Sequence, residues 1–117
     1  MGSYSFPKTE RLLKRACFTR LSKFGKKVQT RYFIALISDG ITETNRIGLT
    51  VSKRVGKAVE RNRIKRVIRD YYRNRRNTLA GPRDINIIAR KQVSDLANSQ
   101  IVVELGNLFK KIENHNG

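Results

Sequence analysis

Cationic side chains are concentrated in one stretch of the chain, residues 57–76, which reads KAVERNRIKRVIRDYYRNRR. Arg binds phosphate through paired hydrogen bonds from its planar guanidinium, and Lys binds it as a point charge. The stretch could therefore hold a polyanion. At about 100° per residue, a helix would bring five of its residues into a single sector, which we call the basic arc: Asn62, Lys65, Arg66, Arg69 and Arg73.

The same helix would carry an apolar stripe that is separate from the basic arc. The stripe consists of Ile64, Val67, Ile68 and Tyr71. The acids Glu60 and Asp70 lie outside the arc, so we expect its charges to lack the i,i+4 partners of an ordinary surface helix. Repulsion within the arc then favours an anionic ligand. A basic face that is merely solvated is the alternative.

Residues that could carry out catalysis are not arranged in any recognisable motif. Gly48 and Gly56 are too far apart for a phosphate-binding loop, and Ala58 stands where such a loop needs Ser or Thr. The single histidine, His115, is in the tail, and the acids are scattered along the chain. The single cysteine, Cys17, excludes an internal disulfide and a cysteine-based zinc site, and we expect it to face the core. The polypeptide is predicted to perform no chemistry and to bind no metal directly.

Length and charge limit the classes of protein that remain. At 117 residues and 38% apolar content, we expect one domain over 1–117, with a flexible arm at 1–8 and a frayed tail at 113–117. The 26 Lys and Arg residues against 9 acids give a net charge of +17, which makes nucleic acid the first candidate partner. The longest apolar run, YFIALI, is too short to span a bilayer. We expect a cytoplasmic protein with no membrane partner.

Hydrophobic periodicity and turn residues divide the first half of the chain into one helix and two strands. TERLLKRACFTRLSKFG predicts a helix that Thr9 caps and Gly25 ends. RYFIALIS and NRIGLTVS are rich in β-branched and aromatic residues and are separated by a turn-prone segment. The two strands are predicted to be antiparallel neighbours.

The second half of the chain is predicted to contain two helices and one strand. The basic helix should run from about Gly56 to Asn77 and end at a Gly-Pro break in LAGPRD. DINIIAR is predicted to be a buried strand. A closing amphipathic helix is indicated by apolar residues at helical spacing: Ile101, Val102, Leu105, Leu108, Phe109 and Ile112.

Alternation along the three strands predicts which side of the sheet is open. One side is apolar throughout and should pack on helices. The other side mixes apolar, small, polar and basic residues and is predicted to form a shallow trough. An ordinary solvated sheet face explains the pattern equally well. The residues of this trough are Tyr32, Ile34, Leu36, Gly48, Thr50, Ser52, Asn86, Ile88 and Arg90.

The segment RIGLTVSKRVGKAVERNRIKRVIRDYYR resembles the signature of the bacterial ribonuclease P protein component. That signature is Arg-Asn-Arg followed by x-Lys-Arg, and it is matched here by Arg61, Asn62, Arg63, Lys65 and Arg66. RLLKRACF, RYF, DINIIAR and the last helix are also similar to their counterparts, so the resemblance covers nearly the whole chain. It implies an α+β fold, an α/β sandwich of the ribosomal protein S5 domain 2-like type. The implied order is α-β-β-β-α-β-α with a left-handed βαβ crossover, although right-handed crossovers dominate among proteins.

The resemblance also implies partners and a division of labour. The family's protein joins ribonuclease P RNA as a monomer in a 1:1 ribonucleoprotein that removes the 5′ leader from precursor tRNA. The RNA carries out hydrolysis with magnesium, which is bound mainly by the RNA; Asn62 would help to organise metal sites indirectly. The residues implied to bind the catalytic RNA are Lys53, Arg54, Lys57, Arg61, Asn62, Arg63, Lys65, Arg66, Arg69 and Arg73.

A second surface implied by the resemblance is a cleft between the first helix and the sheet, which holds the single-stranded leader. The matching positions are Arg11, Lys14, Phe18, Ile34, Leu36, Thr50, Ile88 and Arg90. The chain departs from the family where Ser22 and Leu36 stand at positions that are commonly aromatic. Phe24 or Tyr32 could compensate.

Two other classes of protein fit part of these observations. A ribosomal or general RNA-binding protein without a processing role would share the charge, although its basic residues often lie in disordered tails. A protein nuclease acting alone would cleave RNA without an RNA subunit. Cleavage of precursor tRNA at low magnesium, with and without ribonuclease P RNA, separates all three.

Overall fold

The order of helices and strands is the α-β-β-β-α-β-α order that the resemblance implies. The computed structural model describes residues 10–40, 44–75 and 81–114. A short 3₁₀ turn, Lys91–Asp95, precedes the last helix. The elements are α1 Arg15–Phe24, β1 Lys26–Gln29, β2 Phe33–Asp39, β3 Arg46–Thr50, α2 Ala58–Arg75, β4 Arg83–Ala89 and α3 Asn98–Asn114.

The strands form one sheet in the order β1-β2-β4-β3. β2 pairs antiparallel with β1 and with β4, whereas β3 pairs parallel with β4. The prediction that β2 and β3 are neighbours is therefore wrong, because β4 lies between them. α2 connects the parallel pair as a βαβ crossover, and its left hand stays a prediction.

The core lies between one side of the sheet and the helices α2 and α3. Phe33, Ala35, Ile85 and Ile87 are fully buried on that side of the sheet. The apolar stripe of the closing helix packs against them as predicted, apart from Val102, which is exposed because it falls outside the buried sector. The buried residues of α3 are Ile101, Leu105, Leu108, Phe109 and Ile112.

α2 buries Ile64 and Ile68, as its predicted stripe requires. Val67 and Tyr71 are only partly buried and pack at the margin of the core. Tyr72, which the stripe omitted, is buried and donates a hydrogen bond from Oη to Glu10 Oε1 at 3.0 Å. The core-facing sector of α2 is thus shifted slightly toward Tyr72.

The start of α1 differs from the prediction. The helix begins at Arg15, and the preceding residues instead lie along the edge of β3, where the Leu12 N–H donates to the Ile47 carbonyl at 3.0 Å. This strand-like contact buries Leu12 and leaves Leu13 exposed. Thr9, the predicted cap, and the predicted arm at 1–8 lie outside the described residues.

The ends of the other elements that lie in the described residues are close to the predicted positions, whereas Asn77, the predicted end of the basic helix, lies outside them. Gly25 ends α1 as predicted, with its N–H donating to the Leu21 carbonyl at 2.9 Å. α3 continues to Asn114, two residues into the segment predicted to fray. β1 was not found from the residue pattern because Val28 is its only buried residue. None of the helices in the described ranges is long and apolar enough to cross a membrane.

Candidate nucleic-acid interface

The trough lies on the side of the sheet opposite the core, where strand register aligns its residues in rows. Ile34 of β2 is level with Ile88 of β4, which is level with Thr50 of β3. These three side chains are half-buried, whereas their chain neighbours on the other side are mostly buried. The alternation prediction is confirmed: one side of the sheet is covered by helices and the other side is partly open.

α1 covers the next row of the trough through Phe18. A Cβ placed on Gly48 would lie 2.5 Å from Phe18 Cε1 and 2.7 Å from Cζ, so the missing side chain lets the ring rest on the strand. Phe18 is half-buried and is not a fully enclosed core residue. Its ring therefore borders the trough, as the resemblance implies.

Replacing Gly48 with Ala tests this arrangement. The added methyl group cannot fit under the ring. Leu12 Cβ, 3.2 Å from the same Cβ position, also leaves the methyl group little room to shift away from the ring. We expect the free energy of unfolding to fall by about 1–3 kcal/mol, measured by urea denaturation. Gly106→Ala is the matched control, because its Cβ would meet Tyr71 Oη at an ordinary 3.5 Å. Equal stability of the two variants would show that Phe18 does not rest on Gly48.

An ion pair between half-buried Arg46 and buried Asp84 closes one end of the trough beneath α1. Arg46 donates from Nε to Asp84 Oδ1 at 2.9 Å and from Nη2 to Oδ2 at 2.8 Å. The two side chains are 14% and 5% exposed. Hydrogen bonding to Asp84 raises the pKa of Arg46 above its ordinary value, because the carboxylate favours the charged guanidinium. The sulfur atom of Cys17 lies 3.8 Å from Arg46 Nη2. Cys17 is half-buried, so the prediction that it faces the core is wrong.

A second polar pair lies in the floor of the trough. Thr50 Oγ1 donates to Asn86 Oδ1 at 3.0 Å, and Asn86 is only 4% exposed. The site residues predicted from the resemblance did not include Asn86. Its signal in the sequence was an amide on the trough side of β4, between Ile85 and Ile87. Burying an amide is tolerated where it is hydrogen-bonded, so Thr50 has a structural role as well as a place at the surface.

Cations lie at the margins of the trough. Arg90 is half-buried and donates from Nη1 to the Thr30 carbonyl at 3.4 Å. Lys14, which directly precedes α1, and Arg11, which lies along the edge of β3, are both exposed. The predicted cleft residues on α1, β2, β3 and β4 are thus brought to one side of the molecule, with apolar groups in the floor and positive charge around it.

The basic arc lies on the side of α2 that faces away from the core. Asn62, Arg66 and Arg69 are exposed and Lys65 is half-buried. In the described part of the chain, no hydrogen bond or ion pair engages these four side chains. Arg73 differs, because it forms an ion pair with Asp70. The expectation that no acid neutralises the arc is therefore wrong at Arg73, since residues three apart on a helix are neighbours at its surface.

Two arginines of the Arg-Asn-Arg motif make contacts within the protein. Arg63 pairs with Glu60 at 2.8 Å and donates to Asn98 Oδ1 at 2.6 Å, which ties α2 to the start of α3. Arg61 donates from Nε to the Gly56 carbonyl at 3.2 Å. These contacts order the motif and leave Asn62 pointing to solvent between them. The cations that precede α2 are exposed: Lys53, Arg54 and Lys57.

The trough and the basic arc share a wall. A cavity of about 160 Å³ lies between them, lined by Arg11 and Phe18 on one side and by Lys65 and Arg69 on the other, with Gly48 among its floor residues. Ligands on the two surfaces would be separated by no more than a few side chains. The sequence could not indicate this proximity, because it depends on how α1 and α2 meet at β3.

Within 10–40, 44–75 and 81–114, no group of three or more His, Cys, Asp or Glu side chains is placed to hold a metal ion. His115 lies outside these ranges. The side chains at the interface can provide positive charge, hydrogen bonds and apolar contact.

Fold and surface together define a small α+β protein with a cleft between a helix and an open sheet, beside a helix that presents a cluster of cations. The chain belongs to the ribonuclease P protein family, whose model, described as Ribonuclease P, matches residues 6–113. The family resemblance found around Arg61, Asn62 and Arg63 is confirmed.

Individual relatives agree with this assignment. The chain is 65% identical to the ribonuclease P protein component of Desulforapulum autotrophicum over 117 residues, 100% of both chains. The RNase P protein of Staphylococcus aureus has a similar structure, with a TM-score of 0.86 and 34% identity over 92% of this chain and 100% of that one. The RNase P protein of Thermotoga maritima gives a TM-score of 0.80 and 30% identity over 92% of this chain and 99% of that one.

Proposed function

We propose that this chain is the RNA-binding protein subunit of a ribonuclease P holoenzyme that removes the 5′ leader from precursor tRNA. The observation that carries the proposal is the match to the family over residues 6–113, which includes both the basic arc and the trough. The hydrolysis is assigned to the catalytic RNA and its magnesium, and no protein side chain is assigned a catalytic role. The proposed complex is a 1:1 ribonucleoprotein in the cytoplasm.

The basic arc is the proposed contact with ribonuclease P RNA. Within the described residues, no ion pair or side-chain hydrogen bond of Lys65, Arg66 or Arg69 competes with phosphate, and Arg66 and Arg69 are exposed. Arg suits this role because its fork can bind two phosphate oxygens at once. Asn62, a neutral residue on the same side, would position the RNA backbone by hydrogen bonding and support magnesium sites in the RNA indirectly.

The trough is the proposed contact with the leader of precursor tRNA. Unpaired bases need an apolar or aromatic platform beside cations that hold the backbone. Phe18, Ile34, Leu36 and Ile88 offer the apolar part, and Arg90 lies at the margin. With Ser22 and Leu36 at commonly aromatic positions, stacking in this trough would depend mainly on Phe18.

A cleavage assay tests the proposed function. Purified protein is mixed with a bacterial ribonuclease P RNA and precursor tRNA at a magnesium concentration too low for the RNA alone. We expect accurate 5′ cleavage only when protein and RNA are both present. Cleavage by the protein alone would support a protein nuclease. RNA binding without a lower magnesium requirement would support a general RNA-binding protein.

The salt dependence of binding to ribonuclease P RNA tests the role of the basic arc. If about five phosphates are neutralised, affinity should fall on the order of a thousandfold over a roughly fivefold rise in monovalent salt. The double variant Arg66→Ala/Arg69→Ala should have a shallower salt slope and need more magnesium for cleavage. An unchanged slope would place the RNA contact elsewhere.

A further inference from the structure

A second cleft lies along α1 and has no residue in common with the trough. Its volume is about 330 Å³, and it is formed by the C-terminal half of α1, the start of β1, the end of β2 and the start of β4. We call it the flank cleft. The lining residues that matter for its chemistry are Arg20, Phe24, Lys26, Asp39 and Arg83.

The geometry of α1 separates the flank cleft from the trough. At about 100° per residue, Phe24 is turned by roughly 120° around the helix from Phe18. Leu21 falls between them and is buried against the sheet. Phe18 therefore borders one flank of α1 and Phe24 the other. Along the strands, the flank cleft lies at the end of the sheet where Asp39 of β2 is level with Arg83 of β4 in the strand register. This end is several residues from the row of Ile34.

The side chains of the flank cleft form an aromatic surface beside cations. Phe24 is 78% exposed, which is unusual for a ring of this size on a short helix. Arg20 and Lys26 are exposed on either side of it in the sequence. Arg83 donates from Nη1 to the Ile112 carbonyl at 3.0 Å, which holds it in place at the wall of the cleft.

We propose that the flank cleft is a second binding site for an unpaired nucleotide of single-stranded RNA. The base stacks on Phe24, and the phosphate lies against Arg20 and Lys26; stacking next to a cation is how proteins hold unpaired nucleotides. The net charge of +17 favours a polyanion over other ligands of this size. The inference rests on the proposed RNA-processing function, because that function supplies the unpaired RNA.

Asp39 gives the site a preference among bases. Asp39 is an exposed carboxylate that also lines the cleft, and it repels phosphate, so we expect the backbone to lie against Arg20 and Lys26 and away from Asp39. It also accepts hydrogen bonds from exocyclic amino groups, which cytosine, adenine and guanine carry and uracil lacks. A uridine should therefore bind in the flank cleft more weakly than the other three nucleotides.

Photocross-linking from residue 24 tests the site in the intact holoenzyme. Phe24 is replaced by p-benzoylphenylalanine, and Val103, a 62% exposed residue of α3, is replaced in the same way as the control. Holoenzyme carrying labelled precursor tRNA is irradiated and the adducts are mapped. An adduct with leader nucleotides, or with unpaired nucleotides of the catalytic RNA, supports the site and identifies the source of the strand. An adduct no stronger than that from position 103, in a holoenzyme that cleaves normally, overturns it.

Affinity measurements on the adduct-forming RNA give the second readout. Phe24→Ala should weaken binding by about 5- to 150-fold, the range for loss of one base stacked on a ring. Lys26→Gln should also weaken it, whereas Lys23→Gln, an exposed lysine on the solvent side of α1, should not. Equal effects of Lys26→Gln and Lys23→Gln would contradict a local phosphate contact. If the unaltered protein fails to lower the magnesium requirement for cleavage, the proposed function fails. If the unaltered protein is active and Phe24→Ala and Lys26→Gln bind the RNA as tightly as it does, the flank-cleft inference alone fails.

Discussion

Replacing Ile68 with Ala is expected to lower the free energy of unfolding by about 2–5 kcal/mol. Ile68 is fully buried where α2 packs on the sheet, so truncation leaves a cavity in a core that has little room to collapse. Its chain neighbour Arg69 is exposed on the basic arc. Arg69→Ala is expected to change stability by no more than about 0.5 kcal/mol. Urea denaturation followed by circular dichroism measures both.

The two variants should separate stability from RNA binding. Arg69→Ala, and likewise Arg66→Ala, should weaken assembly with ribonuclease P RNA or raise the magnesium requirement while the helix content stays unchanged. Ile68→Ala protein should bind the RNA normally under conditions in which it is folded. An unfolded Arg69→Ala protein would show that this side of α2 is not a free surface.

Asp84→Ala is expected to destabilise the protein by roughly 3–5 kcal/mol, because it leaves the half-buried Arg46 guanidinium without its carboxylate. Arg46 reaches Asp84 through two hydrogen bonds of 2.8–2.9 Å beneath α1. Asp39→Ala is the control, since Asp39 is an exposed carboxylate at the end of the neighbouring strand and should have an effect within about 0.5 kcal/mol. Chemical denaturation at neutral pH gives both values.

A double variant separates the destabilising effect of an unpaired Arg46 from the net contribution of the Arg46–Asp84 pair to the free energy of unfolding. Arg46→Met/Asp84→Leu removes both charges and keeps much of the volume, so we expect it to recover most of the stability lost in Asp84→Ala. The raised pKa of Arg46 means that its contribution is complete at neutral pH and is lost only when the pH rises through that value in strong alkali. A double variant no more stable than Asp84→Ala would show that the ion pair between β3 and β4 itself contributes to stability.

The features that sequence predicted best are those set by local periodicity. Ile64 and Ile68 face the core while Arg66 and Arg69 face solvent because the two sets differ in angle around one helix. Alternation in the strands separated the core side of the sheet from the trough in the same way. Such patterns depend on the geometry of a single helix or strand, so they can be predicted without knowing what that element packs against.

The features that sequence missed depend on distant partners. Nothing local in DINIIAR indicates that β4 pairs between β2 and β3, and β1 has only Val28 as an apolar signal. The acids near Arg63 and Arg73 were visible, but the ion pairs that they form depend on side-chain conformation. Residues 11–12 fit a helix by spacing, yet the edge of β3 offers their backbone hydrogen bonds that the pattern cannot show.

The common wall between the trough and the basic arc has a consequence for how bound RNA would be placed. Phe18 and Arg69 line the same cavity, and the packing of Leu12 and Ile47 beside it fixes their separation. Under the proposed function, the leader and the catalytic RNA would be held a set distance apart by a rigid core. The protein would then fix the position at which the leader emerges relative to the catalytic RNA, because both contacts are built on the same packed core.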